Sequence, residues 1–250
     1  MKCVVFDCET TGLSSYSGDK ICEIGAVKLD GDKIVDKYWH LINPEREVSY
    51  EAYVVNKITP SMLKGAPTID EILPSFLKFI DGNKLAAYNA GFDISFLNSA
   101  LNDCGYDNVD SKEVIDIYIL AKKMLPDLGK YPLWNVAKSL ELPVVTTHRA
   151  LADAQLTADV FLKLTELGAD KFLKVICLDY VQKIKVLEDA IRNKKSLKIK
   201  FTNNGDNILE KIIIPYRIKE IDGEEFLDFE SKYPPNSIAL NYIEEVVPCF

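Results

Sequence analysis

The stretch Val4-Val5-Phe6-Asp7-Cys8-Glu9-Thr10-Thr11-Gly12-Leu13 constrains the fold more than any other part of the chain. Its start is apolar and β-branched and Gly12 punctuates its end, which is the pattern of a buried strand running into a turn. Residues two apart on a strand share a face, so Asp7 and Glu9 point the same way and Cys8 points to the other. Two parallel carboxylates at the end of a buried strand are costly unless positive charge meets them. Carboxylate oxygens suit a hard divalent cation such as Mg²⁺ or Mn²⁺. For an isolated Asp-x-Glu, an exposed turn whose acids face water is the better explanation, so the choice rests on what the remaining segments bring to that strand end.

The chain has 250 residues, enough for one large domain or two smaller ones, each with its own core. Hydrophobic residues make up 48% and charged residues 27%, as in ordinary globular proteins. No apolar run reaches the roughly 18 residues of a membrane span, and the Met-Lys-Cys-Val-Val-Phe-Asp start does not read as a signal peptide, so a cytoplasmic protein is expected. The six cysteines are scattered without a Cys-x-x-Cys pair, which suggests reduced core thiols rather than a disulfide frame or a zinc site. A net charge of −8 argues against a general nucleic-acid coat protein. It leaves room for an enzyme whose site is a carboxylate cluster.

Lys20–Leu29 and Lys33–Ile42 read as strands joined by Asp30-Gly31-Asp32, a hairpin signal. With the first strand they form an antiparallel edge. Short helical patterns follow from Ser49 and from Thr68, the latter with Glu71 completing a capping box. Lys84–Tyr88 is a fourth strand that leads into Asn89-Ala90-Gly91-Phe92-Asp93 and an amphipathic helix. Val114–Ile119 reads as a fifth strand, and a short helix is expected over Leu133–Leu140. A long helix opens at His148 and reaches about Leu167, with Asp153 inside it. Alone, Asp93 reads as a helix cap and His148 as a surface residue. The second histidine, His40, reads as structural.

Asp7, Glu9, Asp93, Asp153 and His148 all fall at strand ends or helix starts around one sheet. Two divalent cations about 4 Å apart need several carboxylates converging from different segments. An unligated imidazole at the edge, titrating near neutrality, can take a proton from an attacking water. Together these parts make a phosphodiesterase. FDCETTGL, NAGFDISFL and HRALADA, in that order, resemble the three exonuclease motifs of the DEDDh family within the RNase H-like superfamily, and the likeness is nearest to the proofreading exonucleases of bacterial DNA polymerases. The resemblance covers about residues 1–167 and includes Glu23-Ile24-Gly25. It implies an α/β, RNase H-like exonuclease fold with a mixed central sheet flanked by helices. It implies Asp7, Glu9, Asp93 and Asp153 as ligands of two Mg²⁺ or Mn²⁺ ions and His148 as general base. Thr10, Gly12 and Leu13 would hold the 3′-terminal nucleotide, with Asn89 and Phe92 lining the same pocket. The implied activity is 3′–5′ hydrolysis of DNA, acting on single-stranded 3′ ends and releasing nucleoside 5′-monophosphates, with a polymerase or repair complex as partner. An exoribonuclease, or a nucleic-acid- or nucleotide-sensing regulatory protein that keeps the fold as a binding platform, remains open at this point.

Two domains are expected, 1–170 for the exonuclease and 175–250 for a second, small β-rich SH3- or Sm-like module. A helical stripe, Val181, Ile184, Leu187 and Ile191, precedes strands at Leu197–Phe201, Ile208–Ile214, Ile218–Ile221 and Glu225–Phe229, and a last strand-rich stretch covers Ile238–Val247. LEDAIRNKKSLKIKF, IIIPYRI, EEFLDF and ALNYIEEV resemble the WYL domain, with Phe226-Leu227-Asp228 standing where the three letters of that name would be. Lys183, Lys185, Arg192, Lys194, Lys195, Lys198 and Lys200 face only Glu188 and Asp189 within this stretch. Such a run is either a solvated face or a phosphate-tracking groove, in which Lys194, Lys195 and Lys198 would contact the strand.

Overall fold

The computed structural model describes residues 2–15, 18–109, 114–144, 148–169, 185–202, 208–221, 224–230, 236–239 and 243–249. The chain divides into two compact units, Met1–Cys177 and Leu178–Phe250. In the first, β1 (Lys2–Thr10), β2 (Ile21–Asp30), β3 (Lys33–Leu41), β4 (Lys84–Ala87) and β5 (Val114–Asp116) form one sheet in the order β3-β2-β1-β4-β5. The hairpin neighbours β1–β2 and β2–β3 pair antiparallel, while β1–β4 and β4–β5 pair parallel. The sheet is therefore mixed, as expected, and β1 is its central strand.

The alternation of β1 sorts the core into two layers. Cys3 and Val5 join Val27, Ala86 and Ile115 beneath α5 (Ile117–Met124), α6 (Leu133–Ser139) and α7 (Ala150–Glu166). Val4, Phe6 and Cys8 join Ile24, Ala26 and Leu85 beneath α3 (Ile69–Ile80) and α4 (Ala90–Asp103). Two short helices, α1 (Tyr50–Asn56) and α2 (Pro60–Leu63), lie between β3 and α3 in the chain, and sequence periodicity missed α2 because a single turn has no period to read. Ser49 caps α1, its hydroxyl accepting from the Ala52 N–H at 3.1 Å. At the start of α3 the Glu71 carboxylate accepts from the Thr68 N–H at 2.9 Å. Pro74 lies inside α3 without ending it.

One strand is shorter than its composition suggests. Val114–Ile119 is not a continuous strand: β5 stops at Asp116, whose carboxylate accepts from the Ile119 N–H at 3.2 Å and starts α5. A capping side chain overrides the β-branched run there.

The second unit holds a five-stranded antiparallel sheet: β6 (Leu197–Thr202), β7 (Ile208–Ile221), β8 (Glu224–Glu230), β9 (Ser237–Ala239) and β10 (Ile243–Pro248), in the order β10-β6-β7-β8-β9. The two strands expected at Ile208–Ile214 and Ile218–Ile221 are one, because a register shift between Pro215 and Arg217 absorbs the proline without ending the ladder. Residues 185–193 are helical; the first half of the expected apolar stripe and the 203–206 and 222–223 turns lie outside the described residues.

Candidate active site

Asp7 and Glu9 continue the odd-numbered side of β1, the side that Cys3 and Val5 turn toward α7. Asp153 stands in the first turn of α7. Asp7, Glu9 and Asp153 each place a carboxylate oxygen in a group whose members all lie within 4.8 Å of one another, and all three are half-buried. Acids brought together from the first strand and the last helix of this unit are therefore neighbours in space. Burial raises the Asp153 carboxyl above its usual range and the charge of Glu23 adds to this, while His148 counters it. The local chemistry calls for positive charge.

Asp93 comes from the opposite layer. It lies near the start of α4, is 3% exposed, and accepts from the Cys8 N–H at 2.8 Å. The residue is not the helix cap that its position suggests; Asn89 holds that place, in a left-handed conformation with φ 64°. Asp93 thus grips the backbone between Asp7 and Glu9 and stands beside the pair, outside the group of three. The same acids leave Cys8 inert: burial, then Asp93, Asp7 and Glu9, push its thiol well above the ordinary range.

His148 is exposed, has φ 42°, and immediately precedes Arg149, the residue that flanks α7. The approach at 145–147 lies outside the described residues. Beyond the end of β1, Thr10 Oγ1 donates to the Gly12 carbonyl at 2.6 Å, and Asn56 Nδ2 donates to the Thr10 carbonyl at 3.2 Å. A Cβ on Gly12 would meet the Asp19 carboxylate at 2.3 Å, so any side chain there has to displace Asp19 from the turn. Asp19 in turn accepts from the Ser14 N–H at 3.1 Å and pairs with Arg46 at 3.0 Å. Leu13 is left 44% exposed. Asn89 is buried, and Phe92 packs on Phe96 at 4.9 Å between ring centroids.

Three contributors were not singled out from composition. Glu23 is fully buried on β2 beside Trp39, Arg149 and the Ala150 N–H. Arg149 was read only as part of a motif. Asp116 also accepts from the Ala90 N–H at 2.9 Å, tying the start of α4 to the end of β5, and burial pushes its carboxyl up to about 7. A glutamate inside the apolar run KICEIGAVKL was the available signal for Glu23, since such a charge demands a partner.

Residues 4–161 match the family described as Exonuclease. The chain belongs to this exonuclease family. It is 43% identical over 157 residues to the PolC-type DNA polymerase III of Clostridium perfringens, covering 63% of this chain and 11% of that protein. It is 40% identical over 158 residues to the DNA polymerase III subunit epsilon of Treponema pallidum, covering 62% of this chain and 73% of that one. The chain spans about a tenth of the length of the PolC-type relative. Among solved structures, exonuclease X in complex with 5′-overhanging duplex DNA superposes with a TM-score of 0.57 at 26% identity, covering 70% of this chain and 99% of that one. The first unit is thus an RNase H-like, DEDDh-type 3′–5′ exonuclease domain, a class that depends on divalent metal. Among the described residues no helix is long and apolar enough to cross a membrane.

In the second unit Lys194 has φ 50°, Lys195 pairs with Asp189 at 3.2 Å and Lys198 pairs with Glu210 at 2.7 Å. The basic run is therefore less bare than its sequence suggests, because Glu210 arrives from the neighbouring strand. Lys183 lies outside the described residues.

Proposed function

We propose that this exonuclease removes nucleoside 5′-monophosphates from the 3′ end of DNA, using Mg²⁺ or Mn²⁺ held by Asp7, Glu9 and Asp153 with Asp93 alongside. The carrying observation is the convergence of Asp7, Glu9 and Asp153 within 4.8 Å, from strand and helix, with His148 at the mouth of the same helix. The donor set fits: all are carboxylates, half-buried and spaced as oxygen ligands of a hard cation. Divalent cations bound there supply the positive charge and water activation that phosphodiester hydrolysis draws on.

His148 takes the proton from the attacking water, and its exposure leaves it able to pass that proton to solvent. Asp93 fixes the Cys8 amide and so the spacing of Asp7 and Glu9. The braced turn at Thr10–Leu13 receives the terminal nucleotide, Leu13 offering an apolar edge to the base, while Asn89 and Phe92 line the pocket from α4. Asp19 holds the turn in place.

DNA is favoured as the substrate because the DNA-bound exonuclease X is similar over nearly its whole length and the sequence relatives are DNA polymerase components. The same relatives support a DNA polymerase as partner. Five free cysteines among the described residues suit a reducing cytoplasm. For the second unit, taken as a module starting near residue 175, we assign Lys194, Lys195 and Lys198 to the strand upstream of the 3′ end. The exposed ion pairs of Lys195 and Lys198 are weak and can exchange for phosphate. Reversing all three to Glu then weakens binding of a long single strand, spares a short one, and flattens the salt dependence of binding.

The deciding experiment incubates 3′- and 5′-labelled DNA and RNA oligonucleotides, single- and double-stranded, with Mg²⁺, Mn²⁺ or EDTA. Loss of a single-stranded DNA 3′ label as mononucleotide, abolished by EDTA, is the expected result. Faster release from RNA reassigns the substrate, and binding without cleavage under every metal condition leaves only a platform.

A further inference from the structure

We infer that Glu23, Gly25 and Arg149 are positioning residues that set where Asp153 and His148 stand relative to Asp7 and Glu9. The inference rests on the exonuclease reading above and concerns the one joint on which that site depends.

The N-terminus of α7 has no cap of its own: Arg149 flanks it and makes no capping hydrogen bond within the helix. The cap comes from the sheet instead. Glu23, fully buried, accepts from the Ala150 N–H at 3.0 Å, satisfying one of the helix's unpaired donors with a negative charge at the positive end of the dipole. Its other contacts hold it rigid. Arg149 donates to it through Nε at 3.1 and 3.0 Å and through a second guanidinium nitrogen at 2.5 Å, and Trp39 Nε1 donates at 2.6 Å. The forked guanidinium neutralises the buried carboxylate and fixes its plane.

Two residues on, Gly25 lets the helix backbone touch the strand. A Cβ there would lie 2.2 Å from the Leu151 nitrogen and 2.3 Å from the Ala150 carbonyl carbon, both backbone atoms that cannot swing aside. In the β1–β2 ladder Glu23 is the direct partner of Glu9, and Gly25 is the partner of Asp7. The two docking points for α7 are therefore the two residues alongside the two acids. Arg149 closes the joint on the helix side, because it adjoins His148 and its carbonyl accepts from the Asp153 N–H at 3.0 Å. Loosening the clamp lets His148 and Asp153 move together, away from Asp7 and Glu9.

The test compares Arg149→Lys, Arg149→Ala and Glu23→Gln with the parent, at a temperature where melting curves show each variant folded. Arg149→Lys keeps the charge and loses the fork, and Glu23→Gln keeps the volume, so these carry the comparison should Arg149→Ala fail to fold. Displacement of a positioned group by about 1 Å costs on the order of 10²-fold in rate. We expect kcat to fall about 10- to 100-fold with KM within twofold, and adding His148→Ala to a clamp variant to cost much less than it does in the parent, as coupled residues do. Mn²⁺ affinity, read by calorimetry without substrate, should fall about 10-fold as Asp153 leaves the group. That last readout holds even if the parent cleaves no oligonucleotide, in which case the exonuclease reading fails and the positioning role is judged on metal binding alone. Parental kcat per folded molecule, full additivity with His148→Ala, or parental Mn²⁺ affinity in the folded clamp variants overturns it.

Discussion

Each unit keeps aspartates out of water, and each treats them differently. In the C-terminal sheet Asp228 is 3% exposed and meets Arg217 at 2.7 Å and Lys219 at 2.8 Å. Burial acts to raise its carboxyl, but the hydrogen bonds from these two cations, with others, hold it below the usual range. In the first unit Asp153 is pushed the other way, and its near neighbours Asp7 and Glu9 are acids too. A carboxylate folded with its countercharge belongs to the scaffold. A carboxylate gathered with other carboxylates, as Asp153 is with Asp7 and Glu9, is a candidate for chemistry, whereas the raised Asp116 shows that burial alone shifts a capping acid the same way.

That contrast breaks first, and most visibly, at Asp7. Asp7→Ala should drop turnover to the background of the assay while leaving the protein folded, and without metal its melting temperature should hold or rise because like charges no longer crowd. Melting curves with and without Mn²⁺, beside the labelled-oligonucleotide assay, check both halves; an active Asp7→Ala protein refutes the metal reading. The next effect in size belongs to His148. His148→Ala should lower kcat by about 10²–10⁴ with KM little changed, the signature of a proton acceptor rather than a binding contact. Single-turnover kinetics separates the two.

Asp228 supplies the opposite case. Asp228→Asn should leave turnover untouched and cost about 1–3 kcal/mol of stability, kept modest because Arg217 is more than half exposed and can return to water. Its lowered carboxyl gives stability that is present above the unfolded value and lost as pH falls through the folded one, so the difference between parent and variant should vanish in strong acid. Urea titrations across pH read this directly. A further contrast concerns Asp116, whose carboxyl burial pushes up to about 7. A raised acid contributes most below its unfolded value near 3.8 and loses that contribution as pH climbs toward 7. Asp116→Asn should therefore flatten the decline in stability between about pH 4 and 7, although it sacrifices one acceptor for the Ala90 or Ile119 amide. A parent whose stability does not fall over that window removes Asp116 from the account.

Most of the first unit was legible because its signals are local and repeat. Two-residue alternation placed Asp7 and Glu9 on one face of β1, and the Asp-Gly hairpin gave the antiparallel edge. What stayed hidden depends on partners far along the chain. Glu23 and Arg149 are 126 residues apart, so no window of sequence contains both ends of that clamp. Asp116 ended a β-branched run because its oxygens were needed by two helix starts, a demand visible only once those helices are placed. In the second unit the two strands expected at Ile208–Ile214 and Ile218–Ile221 proved to be one strand, β7, with a register shift between Pro215 and Arg217. The lysine run looked bare until the β6–β7 ladder brought Glu210 to Lys198. Pairing between strands decides such matters, and pairing is not written in either strand alone.

The acidic site draws on the first strand of its unit and on the last of its named helices, β1 and α7. During synthesis Asp7 and Glu9 leave the ribosome well before Asp153, which follows only after most of this unit has been made. Until α7 emerges and meets Gly25, the partial sheet holds Asp7, Glu9 and Asp93 without Asp153. Domains fold as units once their last segment is available. On the reading proposed above, the site is complete only once α7 is in place, and a chain that stops before residue 150 should show no cleavage in the labelled-oligonucleotide assay.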